Sequence, residues 1–313
     1  MARQARQKSE QAAFYHLFNR AAGDPRDLPF DRGGNARRFL SIFEFYLRLY
    51  CCRLASFQLM GNHYHCVVQF EGFRPLSREE LEAKARLRFG RRWRLETRHW
   101  DASRWEQFQR HLFDVSCFMQ HVNGEFAKWF NRRWGRRGPF WADRFKNPQL
   151  LDEAAVQSVI LYTELNPVRA GRVQRPEQDR WGSAYWRWAR KKTDRLIPLE
   201  ELFPAQGKMD SFTVYRTLLY HSGAVAGKEG QGVIPAAFLR RQQERGLGRR
   251  GLLRRRLRFL TDGIAIGDRD SVQALLERYR REGLYRKRKN PIAQLGGLFF
   301  SLREQRSHAF CPG

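Results

Sequence analysis

The chain is short of acid. Its 313 residues carry 32 Asp and Glu against 59 Lys and Arg, a formal net charge of +27. Such an excess repels itself in a compact state unless a polyanion neutralises it. Nucleic acid is the natural polyanion, because each neutralised phosphate releases a counterion; the alternative is a compositional bias with no partner behind it. Cysteine is also scarce: Cys51, Cys52, Cys66, Cys117 and Cys311 form no CxxC pair. An odd count without metal spacing argues against a disulfide framework or a zinc cluster and for thiols in a reducing compartment. No apolar run approaches the ~20 residues of a membrane helix, and the opening MARQARQKSEQAA lacks the apolar stretch of a secretory leader. No internal repeat is present. These absences predict a cytoplasmic, nucleoid-associated protein with no membrane partner.

Arginine and aromatics are plentiful, with 24 Phe, 10 Tyr and 9 Trp. Arginine both forks onto phosphate and stacks on bases, and aromatics between arginines can stack on unpaired bases. Each aromatic serves equally well in a core. The length fits one large domain or two modest ones.

The hydropathy pattern predicts a strand at Phe14–Asn19 and, after Gly33 and Gly34, a helix over Ala36–Leu49 with apolar residues at helical spacing. Strands at Leu54–Met60 and His63–Phe70 flank Gly61-Asn62, a hairpin turn signal. Ser77 and Glu80 form a capping-box pattern that starts another helix. Residues 86–98 read as an arginine-rich surface insertion. Residues 105–134 read as one or two helices stopped by GRRG at 135–138, and 140–150 as a fourth strand or hairpin arm. Asp152 caps a helix over Glu153–Leu165, which Pro167 ends. Strands and helices in this order predict an α+β fold, a ferredoxin-like antiparallel sheet with packed helices. The expected division is a catalytic domain over 1–195 and a basic, mainly helical module over 196–313. That module holds a Gly-rich linker at 222–232, the RRRLR run at 254–258 and an amphipathic helix over Asp270–Arg281.

Two segments can carry chemistry. In LMGNHYHCVV (59–68), His63 and His65 stand two apart on a strand, so both imidazoles point the same way. Two such ligands suit one divalent metal, although an HxH triplet also arises by chance. In VILYTELNPVRAGRV (159–173), Tyr162 and Asn166 are four apart on a helix and share a face. Tyr162 reads either as a phenol beside a metal or as a core aromatic. Asn166 reads as an amide ligand, a helix cap, or both.

Together with YHLFNRA near the start, MQHVNGEFAKWFNRRWGRRGPFWADRFK in the middle and DRWGSAY further on, these segments resemble the REP-associated tyrosine transposases of the HUH single-strand nuclease superfamily. The resemblance runs from about Phe14 to Tyr185, with a weaker echo in LRFLTDGIAIGDRDSV. It implies a transposase-like single-stranded DNA endonuclease and strand transferase acting at hairpin DNA through a covalent 5′-phosphotyrosine. His63 and His65 would be metal ligands for Mg²⁺ or Mn²⁺, with Tyr64 between them, Asn166 the third ligand and Tyr162 the nucleophile. Glu164 faces elsewhere on the helix and ranks below Asn166. Gly61 departs from relatives that carry Pro or Ser there. Candidate DNA contacts are Arg20, Asn62, Arg144, Lys146, Arg169 and the group Arg132, Arg133, Arg136 and Arg137. The rival readings are a non-catalytic, domesticated hairpin-binding protein, a nuclease that uses water, and an RNA-binding module. Monomer and homodimer both stay open.

Overall fold

The computed structural model describes residues 11–189, 196–224, 230–238, 265–283, 291–294 and 299–301. Part of the linker at 222–232 and the RRRLR run lie outside them. The sequence order is β1 (Ala13–Arg20), α1 (Asn35–Leu49), β2 (Cys52–Leu59), β3 (His63–Phe70), α2 (Arg78–Phe89), α3 (Trp93–Thr97), α4 (Ala102–Leu112), α5 (Val115–Arg133), β4 (Gln149–Leu150) and α6 (Glu153–Arg169). There follow α7 (Ser183–Trp188), α8 (Leu199–Leu202), α9 (Ser211–Gly223), β5 (Ala265–Gly267), α10 (Arg269–Arg281), β6 (Ile292–Gln294) and β7 (Phe299–Ser301).

The first four strands lie in the order β2-β3-β1-β4, all antiparallel to their neighbours. With α1 and α5 as the crossovers, this is the ferredoxin-like arrangement. The fold class is therefore α+β. Helices α1 and α5 pack together, and α6 lies against β2 and β3. The strand pleat explains the two layers, since successive side chains leave on opposite faces. On β1, Tyr15 and Leu17 join Phe39, Phe43, Phe118 and Phe126 in one core. Phe14 from the other face packs with Val159, Ile160 and Leu165 of α6. Being buried on both faces, β3 does not alternate apolar with exposed polar residues: Tyr64 through Val68 are all buried.

The sheet continues beyond the antiparallel four. β5 pairs in parallel with β4, and β7 and β6 follow, giving seven strands in the order β2-β3-β1-β4-β5-β7-β6. The wholly antiparallel expectation is corrected at this one pair. Residues from Leu196 on supply helices and also these three sheet strands, so the described part of that stretch is not helical alone. In α10, Val272, Leu275, Leu276 and Tyr279 are buried, as the amphipathic spacing requires.

The predicted caps form. Ser77 Oγ accepts from Glu80 N at 3.2 Å while Glu80 Oε2 accepts from Ser77 N at 2.7 Å. Asp152 Oδ1 accepts from Ala155 N at 2.7 Å. Residues 86–98, largely exposed, carry the end of α2 and the short α3. Two local expectations are corrected. The strand expected over 140–150 is reduced to Gln149–Leu150, with single bridges from Trp141 to Ala21 and Lys146 to Phe18. Helix α6 runs through Pro167 to Arg169 instead of stopping at Leu165. Pro167 has no N–H for the carbonyl four residues back, and the Asn166 side chain stands in: its Nδ2 donates to Tyr162 O at 3.0 Å and to Thr163 O at 3.2 Å. Among the described residues no helix is long and apolar enough to cross a membrane.

Candidate active site

The site forms where the head of β3 meets α6. β1 and β3 pair with Arg20 opposite His63 and Phe18 opposite His65. Tyr64 points to the α1–α5 layer, fully buried, and its hydroxyl donates to Asn123 Oδ1 at 2.9 Å. That fixes the register, so His63 and His65 both face α6, with ring centroids 5.2 Å apart. The Tyr162 ring stands nearly perpendicular to His65 at 5.6 Å. The structure therefore brings His65 to the tyrosine of the helix, with His63 beside His65.

A third imidazole joins them. His16 of β1 is fully buried; its Nε2 lies 3.0 Å from His65 Nδ1 and its ring 6.0 Å from that of Tyr162. His16 is the residue that reading the sequence missed. The signal was available: on paired β1 and β3, positions 16 and 65 are diagonal neighbours on one face. A lone histidine in FYHLFN, without a spaced partner of its own, gave no motif to catch.

The protonation of His63 follows from its neighbours. Asn62 Nδ2 donates to Pro25 O at 2.8 Å, which turns Asn62 Oδ1 toward His63 Nδ1 at 2.7 Å. An amide oxygen only accepts, so Nδ1 carries the proton and Nε2 holds the lone pair. Asn62 thus has both amide atoms engaged within the protein, and its evident part is to orient His63. Burial, with the charges of Arg20 and Arg172, pulls the His63 pKa down to about 4. Burial, with His16 and His63 beside it, holds His65 well below the ordinary histidine range. Both rings are neutral at physiological pH, the form that binds metals.

Asn166 lies one turn beyond Tyr162, half-buried, with its nitrogen spent on the helix carbonyls. Its Oδ1 is the atom left for a ligand; no hydrogen bond joins it to either histidine. Glu164 is on the opposite side of α6, fully buried, where it accepts from Ser183 Oγ at 2.5 Å and from the Tyr215 hydroxyl, with Arg187 Nε 3.8 Å away. It is not at the site. Among the described residues no group of three or more His, Cys, Asp or Glu is arranged to hold a metal. The donors nearest to hand for a divalent ion are sparse, two neutral imidazoles on β3 and the Asn166 Oδ1 on α6, with no carboxylate among them.

The cations are distributed around this centre. The Arg169 guanidinium lies 5.4 Å from the Tyr162 ring centroid, and burial lowers its pKa while the phenol works the other way. Lys146 Nζ sits 5.6 Å from the Phe18 ring. Arg20 and Arg144 are exposed at the same end of the sheet, and Arg132, Arg133, Arg136 and Arg137 are exposed around the end of α5.

No family model matches the chain, and no curated protein does. Among solved structures it is similar to one described as "Structure of the REP associates tyrosine transposase bound to a REP hairpin", at 13% identity and a TM-score of 0.37, over 67% of this chain and 97% of that chain. That likeness is too distant to assign an activity.

The surroundings of Gly61 also differ from a simple turn. A Cβ there would come within 2.9 Å of both Arg172 Nη1 and Asp31 Oδ2. Those two residues form an ion pair at 2.9 Å that ties the end of α6 to the loop before α1. A Ser or Pro at this position would have to displace it.

Proposed function

We propose that this protein nicks and rejoins single-stranded DNA beside hairpins through a covalent link to Tyr162, as the resemblance to HUH tyrosine transposases implies. The observation that carries the reading is the meeting of His65 with Tyr162, about a hundred residues away in the chain, with His63 beside His65 on the same face. The Tyr162 ring meets His65 and the Arg169 guanidinium, polar company that packing alone does not call for.

In the proposed step the Tyr162 oxygen attacks a backbone phosphorus. The bond from phosphorus to the 3′ oxygen breaks, leaving a 5′-phosphotyrosine and a 3′-hydroxyl; the phenol gives up a proton and the departing oxygen gains one. A free phenol has a pKa near ~10, and the Arg169 charge over the ring favours the phenolate. His63 and His65, with Asn166 Oδ1, would hold Mg²⁺ or Mn²⁺, which when bound supplies positive charge to a non-bridging phosphate oxygen. Asn62 and His16 keep the two imidazoles in place. The phosphotyrosine keeps the energy of the broken diester, so a second 3′-hydroxyl can reverse the step without ATP. Arg20, Arg144 and Lys146 would hold phosphates, which position DNA without reading it.

The test is an adduct assay on a hairpin oligonucleotide with single-stranded flanks and Mn²⁺. Wild type should form a denaturant-stable protein–DNA species, with mass spectrometry locating the modification on Tyr162. Tyr162→Phe should form none and cut nothing. Cutting that persists in Tyr162→Phe would mean that water is the nucleophile. Binding without any adduct would favour a non-catalytic hairpin-binding protein.

A further inference from the structure

At the end of the sheet that carries His63, but on the α1–α5 side, one tryptophan is set apart from the other indoles. Trp134 closes α5 and is exposed over 44% of its surface, one of few large apolar side chains so placed among the described residues. Its indole is nevertheless pinned. Nε1 donates to Asn35 Oδ1 at 3.2 Å, and Asn35 is itself anchored by its Nδ2 to Pro29 O at 2.7 Å. One edge of the ring lies against Gly33, where a Cβ would come within 2.7 Å of it. Gly33 and Gly34 both hold a left-handed backbone, φ 55° and 75°, so glycine suits this loop both for shape and for the space it leaves.

Four exposed arginines flank Trp134 in the chain, Arg132 and Arg133 before it and Arg136 and Arg137 after it, with the Arg133 guanidinium 5.9 Å from the indole ring and that of Arg136 5.6 Å from the ring of Phe130. None of the four makes an ion pair with a described residue, whereas other surface arginines such as Arg26, Arg78 and Arg110 do. The indole packs on Gly33 and Phe130 yet leaves much of its surface in water, and four neighbouring cations without anionic partners among the described residues repel one another. Both costs are relieved by a ligand that is flat, aromatic and anionic at its edges. An unpaired nucleotide meets that description: the base stacks on the indole and its phosphates meet the guanidiniums.

The connection to the site is short in structural terms. Phe30 N donates to Gly61 O at 2.9 Å, so the loop that carries Gly33 and Asn35 is tied to the turn just before His63. Ala21 N donates to Asn62 O, and Ala22 N to Phe140 O, both at 2.8 Å, which joins the chain after α5 to the same rim. Arg20, opposite His63 on β1, is exposed at the same rim.

We infer that Trp134, framed by these four arginines, is a stacking platform for an unpaired base of the single-stranded flank that leaves the active site around the rim of the sheet. The inference rests on the DNA reading above and adds a second contact point to it. The platform acts in binding and positioning.

The test is made in EDTA, so that binding is read without cleavage. Oligonucleotides carry a hairpin and single-stranded flanks, with 2-aminopurine at successive flank positions; its fluorescence falls when it stacks on an indole. For wild type, one or two positions should be quenched. Trp134→Ala should abolish that quenching and weaken binding of the flanked oligonucleotide about tenfold, with little effect on a blunt hairpin. Trp134→Phe should keep most of the affinity, and circular dichroism of both variants should match wild type. Equal loss for flanked and blunt DNA, or quenching that survives in Trp134→Ala, overturns the platform while leaving the nicking proposal standing. A wild-type protein that binds no DNA overturns both. Tighter Trp134-dependent binding of the RNA version also overturns the assignment to DNA.

Discussion

His63 and His65 are held neutral by burial, and this has a consequence for stability that does not depend on any activity. In the unfolded chain both imidazoles protonate near the ordinary value of 6.5, while in the folded protein His63 waits until about 4 and His65 stays well below its usual range. Between these values the unfolded state binds more protons, so stability rises with pH. The contribution is complete above about pH 6.5 and is lost as pH falls toward 4, by at most about 1.4 kcal/mol per pH unit for each ring. Denaturant titrations at pH 7, 6 and 5 with chelator present should show this decline. Replacing His63 by Gln should flatten it, and a slope unchanged by that substitution would count against buried neutrality. At this scale the sequence was partly legible. The HxH pair was visible because alternation in a strand is a local property. His16 was not, because its role exists only once β1 and β3 are paired.

At the scale of elements, α6 shows why a helix boundary is harder to read than a helix. The sequence rule ends a helix near proline because of the missing N–H. Here the preceding residue makes up the loss with its own amide. Removing that amide by Asn166→Ala should cost about 1 kcal/mol in equilibrium unfolding. In a Pro167→Ala background, where a backbone N–H can reach Thr163 O, the same change should cost half of that or less. Equal costs in both backgrounds would show that Asn166 does not compensate for the proline. The long strands and helices of the first half were legible because their apolar spacing is strong and their caps are local. β4 was misjudged in length because only two of its residues make regular ladder pairs, with the rest of 140–150 following β1 through isolated bridges. The parallel join to β5 had no local signature, as it brings together residues far apart in the chain.

For the molecule as a whole, the net charge of +27 is the feature any partner meets first. If single-stranded DNA is that partner, binding must weaken steeply with salt, and each phosphate contact removed should make the log–log slope shallower by roughly 0.7. Replacing Arg132, Arg133, Arg136 and Arg137 together by Ala should therefore reduce the slope by up to about 3 if each meets one phosphate. Affinity measured at four or five salt concentrations gives that number directly. An identical slope for the variant would place these arginines outside the contact. Charge and the α+β class were readable from composition and order alone. The extension of the sheet by β5, β7 and β6 was not, because three-residue strands leave almost no periodicity to detect.

If the proposed exchange of DNA ends at Tyr162 takes place, the buried partners of Glu164 bear on how it would proceed. The far side of α6 is bolted to Ser183 and Tyr215, with Arg187 close behind, in a place that water does not reach. A phenol mounted on a rod fixed in that way is an anvil, not an arm. Within one subunit, incoming and outgoing strands would have to trade places over a stationary oxygen, and the choreography would belong to the nucleic acid.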